Sequence, residues 1–500
     1  MIRLEIKFGQ SYCPCLRQVA DQIQTQEQTQ ELRLPEAMPD IGRVLGAWGK
    51  VMIRSKEWRS IGMGVSGGVM AWAMYVPEDG GIPQSIECWI PFQMKWDFPE
   101  TDRDGFIRIV PALKSIDARS TSARKMMIRA NISLLGQGME VTDVPVFRPA
   151  EVPEDVQLLQ NTYPMDIPVE SGEKQFQIDD ELDLSGLTAP IDVILRYDLT
   201  PVIREQRVMA SRLVFRGEGK VHLVYLSDGK VMSYDTQVPF SQYTDLDREY
   251  GPSATAQITP IVTNLEINRD DGKIEVEASI AAQYVIYDRQ MIELTEDAYS
   301  PRREVALQGQ HLQLPTRLDQ RTEQVNVVQT MNGEATRVAD GIAMFDLPRC
   351  QQNGDRTEIV MNGQFQTLYY DPEGSIQCGT TRFEERYSIE ADPGTDVEGM
   401  LLPCDVPKIN TTGQQLELSI SPQLQFTTAV QQGQWMVTGL DTGELRQPDP
   451  NRPSLILRRW GNDSLWDIAK ASGSTEMAIR DANQLTDEPD KGRILLIPVT

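Results

Sequence analysis

Met70–Phe92, MAWAMYVPEDGGIPQSIECWIPF, decides the fold class: an apolar arm runs to Tyr75, an acidic turn containing Gly80 and Gly81 follows, and a second arm closes on Phe92. That order is the signature of a β-hairpin. It recurs as VHLVYLSDGKVMSYDTQVPF over Val221–Phe240 and as QTLYYDPEGSIQCGTTRF over Gln366–Phe383. The segments downstream repeat in the same order. IVPALKSIDARSTSARKMMIRANISLLGQ begins at Ile109, ITPIVTNLEINRDDGKIEVEASIAAQYV at Ile258, and LLPCDVPKINTTGQQLELSISPQLQF at Leu401. The offset is roughly 145 residues each time, a domain-sized period rather than a solenoid one.

Within each copy apolar residues alternate. Ile274, Val276, Ala278 and Ile280 share one face while Glu275, Glu277 and Ser279 share the other; Leu416, Leu418 and Ile420 behave alike, as do Met94, Trp96 and Phe98. A period of two denotes half-buried strands. The fold class expected is therefore mainly β, with three tandem sandwich-like domains and a small α+β unit at the end. The divisions expected are an N-terminal segment 1–29, a first domain 30–145, a linker 146–168, a second domain 169–288, a linker 289–304, a third domain 305–438, a linker 439–452 and a terminal unit 453–500. The last linker, with its three prolines, reads as a tether.

The terminal unit holds LILRRWGNDSLWDIAKASGSTEMAIRDANQL from Leu455, closed by GRILLIPVT. Ser464 is placed to cap one helix, with Asp467 three residues on completing a capping box. Leu465, Ile468 and Ala469 then share the buried face. Thr475 caps a second helix, whose Ile479 and Ala482 are expected inward, and Ile494 to Pro498 return as a strand.

Composition excludes several functions. The net charge of −25 lacks the Lys/Arg excess that displaces counterions from a phosphate backbone, so nucleic acid is not expected as a partner. In the terminal unit Arg452, Arg458, Arg459, Lys470, Arg480, Lys491 and Arg493 balance Asp463, Asp467, Glu476, Asp481, Asp487, Glu488 and Asp490, so the negative charge lies upstream. MIRLEIKFGQSYCPCLRQ at the start has no secretory apolar core, and the longest apolar run, Val65 to Val76, is short of the roughly 20 residues that span a bilayer. A location inside the cell, with no membrane span, is expected.

Six cysteines at irregular spacing suit a reducing compartment, and the lone Cys13-Pro14-Cys15 pair is read as free thiols rather than a metal site. His222 and His311 are the two histidines and fall in different repeats, which disfavours a catalytic triad or a multi-histidine metal centre. The glycines of Gly62–Gly68 lack a strand–turn–helix setting for phosphate. Carboxylates such as those of the Asp270-Asp271-Gly272 turn are read as solvated. No catalytic residue, metal or cofactor is expected. Of the tryptophans, Trp72 and Trp89 read as core, while Trp48 and Trp58, flanked by charges, are the ones open to a partner.

LPEAMPDIGRVLGAWGKV from Leu34, with Pro39-Asp40-Ile41 followed by Arg43 and Val44, resembles the SPOCS domain of spore-coat assembly proteins of Firmicutes. With the hairpins and their partner segments the resemblance spans roughly residues 30 to 440. The terminal unit resembles a LysM module, the β-α-α-β family that binds N-acetylglucosamine polymers such as peptidoglycan, with Asn462 as a one-residue insertion in its first turn. SPOCS repeats followed by LysM resemble the architecture of clostridial sporulation proteins that act in the mother-cell cytoplasm. There they bind the ATPase that polymerises over the forespore as the base of the coat. This resemblance implies a non-enzymatic scaffold at the forespore surface whose partner is the spore-coat morphogenetic ATPase or another coat protein. The alternative it implies is a peptidoglycan-binding protein of cortex or wall. By the same resemblance the binding groove comprises Gly461, Asn462, Asp463, Ser464, Asn483, Gln484 and Leu485. Its lengthened turn and the acidic loop LTDEPDKG disfavour ordinary glycan binding, and the expected location inside the cell points to protein rather than glycan.

Overall fold

In the computed structural model the chain is mainly β, with two helices near the C-terminus. The structure describes residues 4–499 apart from 188, 271–272, 313, 315, 355, 391–394, 431–432, 448–451 and 488. The Asp271-Gly272 part of the acidic turn, Glu488 and the middle of the last linker thus lie outside the described residues. No helix among those described is long and apolar enough to cross a membrane.

The strands fall into three sets with one order of pairing. In the first, Phe8–Arg33, Lys125–Pro149 and Gly105–Ser122 form one antiparallel sheet, and Ile41–Arg59, Gly62–Pro77 and Gln84–Asp97 form another. The sheets share a core that includes Val65, Trp96, Ile109, Ile128 and Leu134. In the second set Gln157–Glu181, Lys273–Tyr299 and Thr255–Asp270 repeat the first sheet. Its other sheet is the long strand Val193–Ser227 with Lys230–Tyr250. That long strand turns back at Ala210, in the left-handed region at φ 52°, so that Arg204 reaches Glu218 at 2.5 Å. In the third set the strands are shorter and broken, but Arg337–Phe345 and Ile376–Glu390 still flank Arg356–Tyr370.

A glycine and a phenylalanine mark every copy of the hairpin. Gly67 faces Phe92, Gly217 faces Phe240 and Gly363 faces Phe383 across paired strands. A Cβ at these glycines would stand 2.1, 2.1 and 2.4 Å from the carbonyl oxygens of Met52, Val202 and Met344, with the phenylalanine ring pressed on the other side. Only a residue without a side chain lets the third strand approach so closely. Asp228 (φ 49°) and Gly229 (φ 71°) form the turn of the second hairpin, both in the left-handed region that matches the twist of its arms.

The strand carrying the hairpin tyrosine is buried on both faces. Tyr75 and Tyr225 lie in the cores of their own sets, while the residues before the three tyrosines, Met74, Val224 and Leu368, meet in one apolar cluster. Leu45 and Trp48 from the first set, Leu195, Leu226 and Val231 from the second, and Ala339 and Ile376 from the third complete it. A polar junction also joins the three sets: Arg108 donates to Thr259 at 3.1 Å and to Glu398 at 3.4 Å, and to Gln137 of its own set at 2.8 Å. Gln283, fully buried, bonds both backbone groups of Ile109 at 2.8 Å, in the way a strand would. The edge of Gly105–Ser122 is covered in this way.

Sheets also cross between sets. Gln157–Glu181 continues into Arg317–Gln324, giving a six-stranded sheet, and Leu4–Ile6 pairs with Trp435–Thr442, which also pairs with Val305–His311.

Gly217→Ala is expected to destabilise the chain by about 1–3 kcal/mol, because backbone and the Phe240 ring must both give way. Gly64→Ala, where a Cβ meets nothing within 4 Å, is the matched control and should be near neutral in urea denaturation.

Candidate functional site

The three sets line a half-open cavity of about 1030 Å³. Each set lines it with a proline-bearing segment, through Pro111, Pro260 and Pro403. These are the repeated IVP, ITP and LLP tripeptides. A proline on an edge strand withholds a backbone donor, which blocks the addition of a further strand.

Charged groups on the cavity wall are joined across set boundaries. Lys50 meets Asp198 at 3.0 Å and Thr200 at 3.1 Å, Lys114 meets Asp346 at 3.3 Å, and Lys220 meets Asp405 at 2.5 Å. His222 is held between Asp235 (2.6 Å from Nδ1) and Asp340 (2.8 Å from Nε2), and Arg196 reaches the other Asp340 oxygen at 2.6 Å. Burial works against the His222 cation, but Asp340 and Asp235 outweigh it and push its pKa up to about 9. Burial likewise works against the Asp340 carboxylate, which Arg196 and His222 nevertheless hold at about 2. With both ring nitrogens donating, His222 has no lone pair for a general base or a metal at neutral pH. It works as a bolt between the second and third sets. His311 is exposed, its ring 5.4 Å from that of Trp435.

Cys13 and Cys15 alternate inward from one strand into the second set's core, and all six cysteines are free. Desolvation pushes the Cys15 thiol up to about 12, so it is an inert core residue. Trp48, expected to be open, is 1% exposed and sits in the three-way cluster with Arg196 over its ring. Lys50, two residues on and so on the same face, is turned to Asp198 of the second set. Trp58 is half-buried and packs on Phe98 at 4.8 Å.

The terminal unit runs strand, helix, helix, strand: Leu455–Arg459, Leu465–Ser472 (α1), Glu476–Asn483 (α2) and Ile494–Pro498. The two strands pair antiparallel. Ser464 caps α1 by accepting from the Asp467 N–H at 3.1 Å, while its hydroxyl donates to the Asp467 carboxylate at 2.6 Å. Thr475 caps α2, and Gly473 (φ 64°) ends α1 in the left-handed region that glycine favours. Ile479 is buried, but Ala482 is exposed, because the face of α2 turned to the returning strand is narrower than expected.

Of the expected groove residues, Gly461, Asn462, Asp463 and Ser464 are exposed, and Asp463 is ion-paired with Arg458. Asn483 is committed internally: its amide donates to Ile479 and Leu496 carbonyls at 2.8 and 2.6 Å and accepts from the Leu496 N–H at 2.8 Å. Gln484 is the exposed left-handed cap of α2, and Leu485 packs into the unit's core. The two halves of the groove are linked by Arg493, whose carbonyl accepts from Trp460 and whose guanidinium donates to the Asn483 carbonyl at 3.1 Å.

The unit is docked on the second set. Tyr299 enters its core beside Trp460 and Trp466, with the Tyr299 and Trp466 rings edge-on at 4.7 Å. Asp297 accepts from Trp466 Nε1 at 2.8 Å and from Lys470 at 2.7 Å, and the Tyr299 hydroxyl donates to the Ser474 carbonyl at 3.0 Å. Part of the linker is fixed as well, Gly443 and Arg446 donating to the Glu304 and Arg302 carbonyls at 2.8 Å. A proline-rich composition marked a tether, but no sequence period reveals an acceptor some 170 residues upstream.

Residues 190–268 match the sequence model of the SipL SPOCS domain. The match lies in the second set and begins where Ile191 precedes Leu195 by the interval that separates Ile41 from Leu45, so it starts at the counterpart of the Pro39-Asp40-Ile41 segment. No curated protein and no solved structure matches the chain.

Two outcomes are expected. Because the folded His222 pKa lies above its unfolded value near 6.5, its contribution is full below that pH and is lost as pH rises through about 9, on the order of 3 kcal/mol. His222→Gln should flatten the alkaline limb of stability measured by denaturant titration between pH 6 and 10. Asp297→Ala together with Tyr299→Ala should free the terminal unit, raising amide exchange in α1 at least tenfold while leaving exchange in Val193–Ser227 unchanged.

Proposed function

We propose that the chain is a non-enzymatic adaptor of spore-coat assembly. In this reading three SPOCS-type domains form a body that carries a LysM-type unit, and the unit docks on a protein at the forespore surface, the coat morphogenetic ATPase. The observation that carries it is the SPOCS-domain match at residues 190–268, which points to a role in sporulation. The common strand order of the three sets supports extending the SPOCS reading to the flanking ones. The strand–helix–helix–strand order of the terminal unit supports the LysM reading.

A scaffold is supported by the chemistry of the interior, where the cavity's ionic groups are spent on one another across set boundaries. Docking of the unit fixes its orientation, which lowers the entropy lost when it engages a surface. The glycan alternative draws on the exposed Gly461–Ser464 turn. Against it, Asn483 has no spare donor for a sugar acetamido group.

The test uses the full chain from sporulating cells, tagged and fluorescently fused. Co-precipitation with the coat ATPase and a fluorescent ring around the forespore are the expected results. Removal of the terminal unit, residues 453–500, should abolish that capture. Sedimentation with insoluble peptidoglycan, without ATPase capture or a forespore ring, overturns the proposal in favour of the glycan reading.

A further inference from the structure

The ribbon of Leu455–Arg459 and Ile494–Pro498 is apolar on both faces. Inward, Ile456, Leu495 and Ile497 pack on the helices. Outward, Leu455, Leu457, Ile494 and Leu496 are 50, 67, 59 and 37% exposed. The register sets Leu457 opposite Leu496, Leu455 opposite Pro498 and Arg459 opposite Ile494, so these residues lie on one face. A two-stranded ribbon needs one covered face to be stable, and the helices supply it; the outer face is surplus to folding. Docking on Asp297 and Tyr299 uses Trp460, Trp466 and Lys470 and leaves this face open.

The exposed aliphatic patch is roughly 400 Å², in the range of the largest patch on a typical soluble monomer, which is often functional. At its end stand two exposed cations, Arg459 and Lys491, which have no carboxylate partner among the described residues. A second copy of the chain fits poorly: two such faces together bury roughly 800 Å², about half a standard interface, and bring no carboxylate to either cation.

We propose that the outer face of this ribbon is the contact surface for an acidic, amphipathic segment of a protein partner, with aliphatic side chains for Leu457 and Leu496 and carboxylates for Arg459 and Lys491. The inference rests on the adaptor reading and moves the partner contact from the Gly461–Ser464 groove to the ribbon. Hydrophobic contact supplies affinity and the cations set the direction in which the segment lies.

Fluorescence anisotropy of labelled synthetic peptides on the full chain tests it, with an alternating Leu/Glu peptide, its Leu/Lys counterpart and a Ser/Glu peptide. The Leu/Glu peptide should bind at least tenfold more tightly than either control. Leu457→Glu with Leu496→Glu should abolish that binding, and Arg459→Glu should erase the preference for Glu over Lys, while Asp319→Asn, on the body and remote from the ribbon, changes neither. Both ribbon side chains being exposed, an unchanged thermal melt is the check on folding. Equal binding of all peptides, insensitivity to the ribbon substitutions, capture by anionic phospholipid vesicles in place of peptide, or concentration-dependent dimerisation lost in the ribbon variant would each overturn the proposal. The peptide assay contains no sporulation component, so its failure is separable from failure of ATPase co-precipitation, which bears on the adaptor reading.

Discussion

In the first two sets the hairpin strand with the repeated tyrosine has water on neither side, in the third Leu368 is buried and Tyr369 half-buried, and the arrangement of the body follows from where the two faces go. Alternation sends Tyr75 and Tyr225 into the cores of their own sets and sends Met74, Val224 and Leu368 into a cluster shared by all three. A set pulled away from the others would expose Trp48 and its neighbours to water and strand Asp340 from Arg196 and His222. Separating a buried ion pair costs several kcal/mol beyond the apolar area, because each charge is left in a medium that solvates it poorly. Three similar units thereby behave as one body, not as beads on a string.

The same constraint explains why much of the fold was legible and where reading stopped. Strands with one wet face, such as Lys273–Tyr299 with its Glu275 and Glu277, announce themselves by alternation. The middle strand Gly62–Pro77 is instead a continuous apolar run, which has the length of a strand but no stripe to say which face meets what. Trp48, in the neighbouring strand, is hidden differently: the face it shares with Lys50 meets another set, where Lys50 finds Asp198, so a nearby charge does not mark a wet face. The Gly67–Phe92 type of pair has no constant spacing along the chain in the three copies, and its meaning is a close carbonyl, which no residue type reports.

In the terminal unit the caps Ser464 and Thr475 were readable because capping is local chemistry within three residues. Asn483 was readable as a position and not as a role. An amide at the end of a helix serves a ligand equally well as it serves a neighbouring strand, and here both its donor and acceptor are taken by the returning strand. The docking of Trp466 and Lys470 on Asp297 joins residues far apart in the chain, so composition suggested a loose linker where tertiary packing made a fixed joint. Module charge balance has a structural sense in that setting: Lys470 is one of the cations set against the acidic body.

The short strand Leu4–Ile6 pairs with Trp435–Thr442, the strand that immediately precedes the linker to the terminal unit. During synthesis this first strand must wait for more than four hundred residues before its partner exists. Closing so long a loop costs little more than closing one a quarter as long, since the entropy grows only with the logarithm of length, but it delays the search. The first set can therefore mature early while the ring of three remains open at one seam. That seam can close only once Trp435–Thr442 has been made, when all of the chain but the linker and the terminal unit is present.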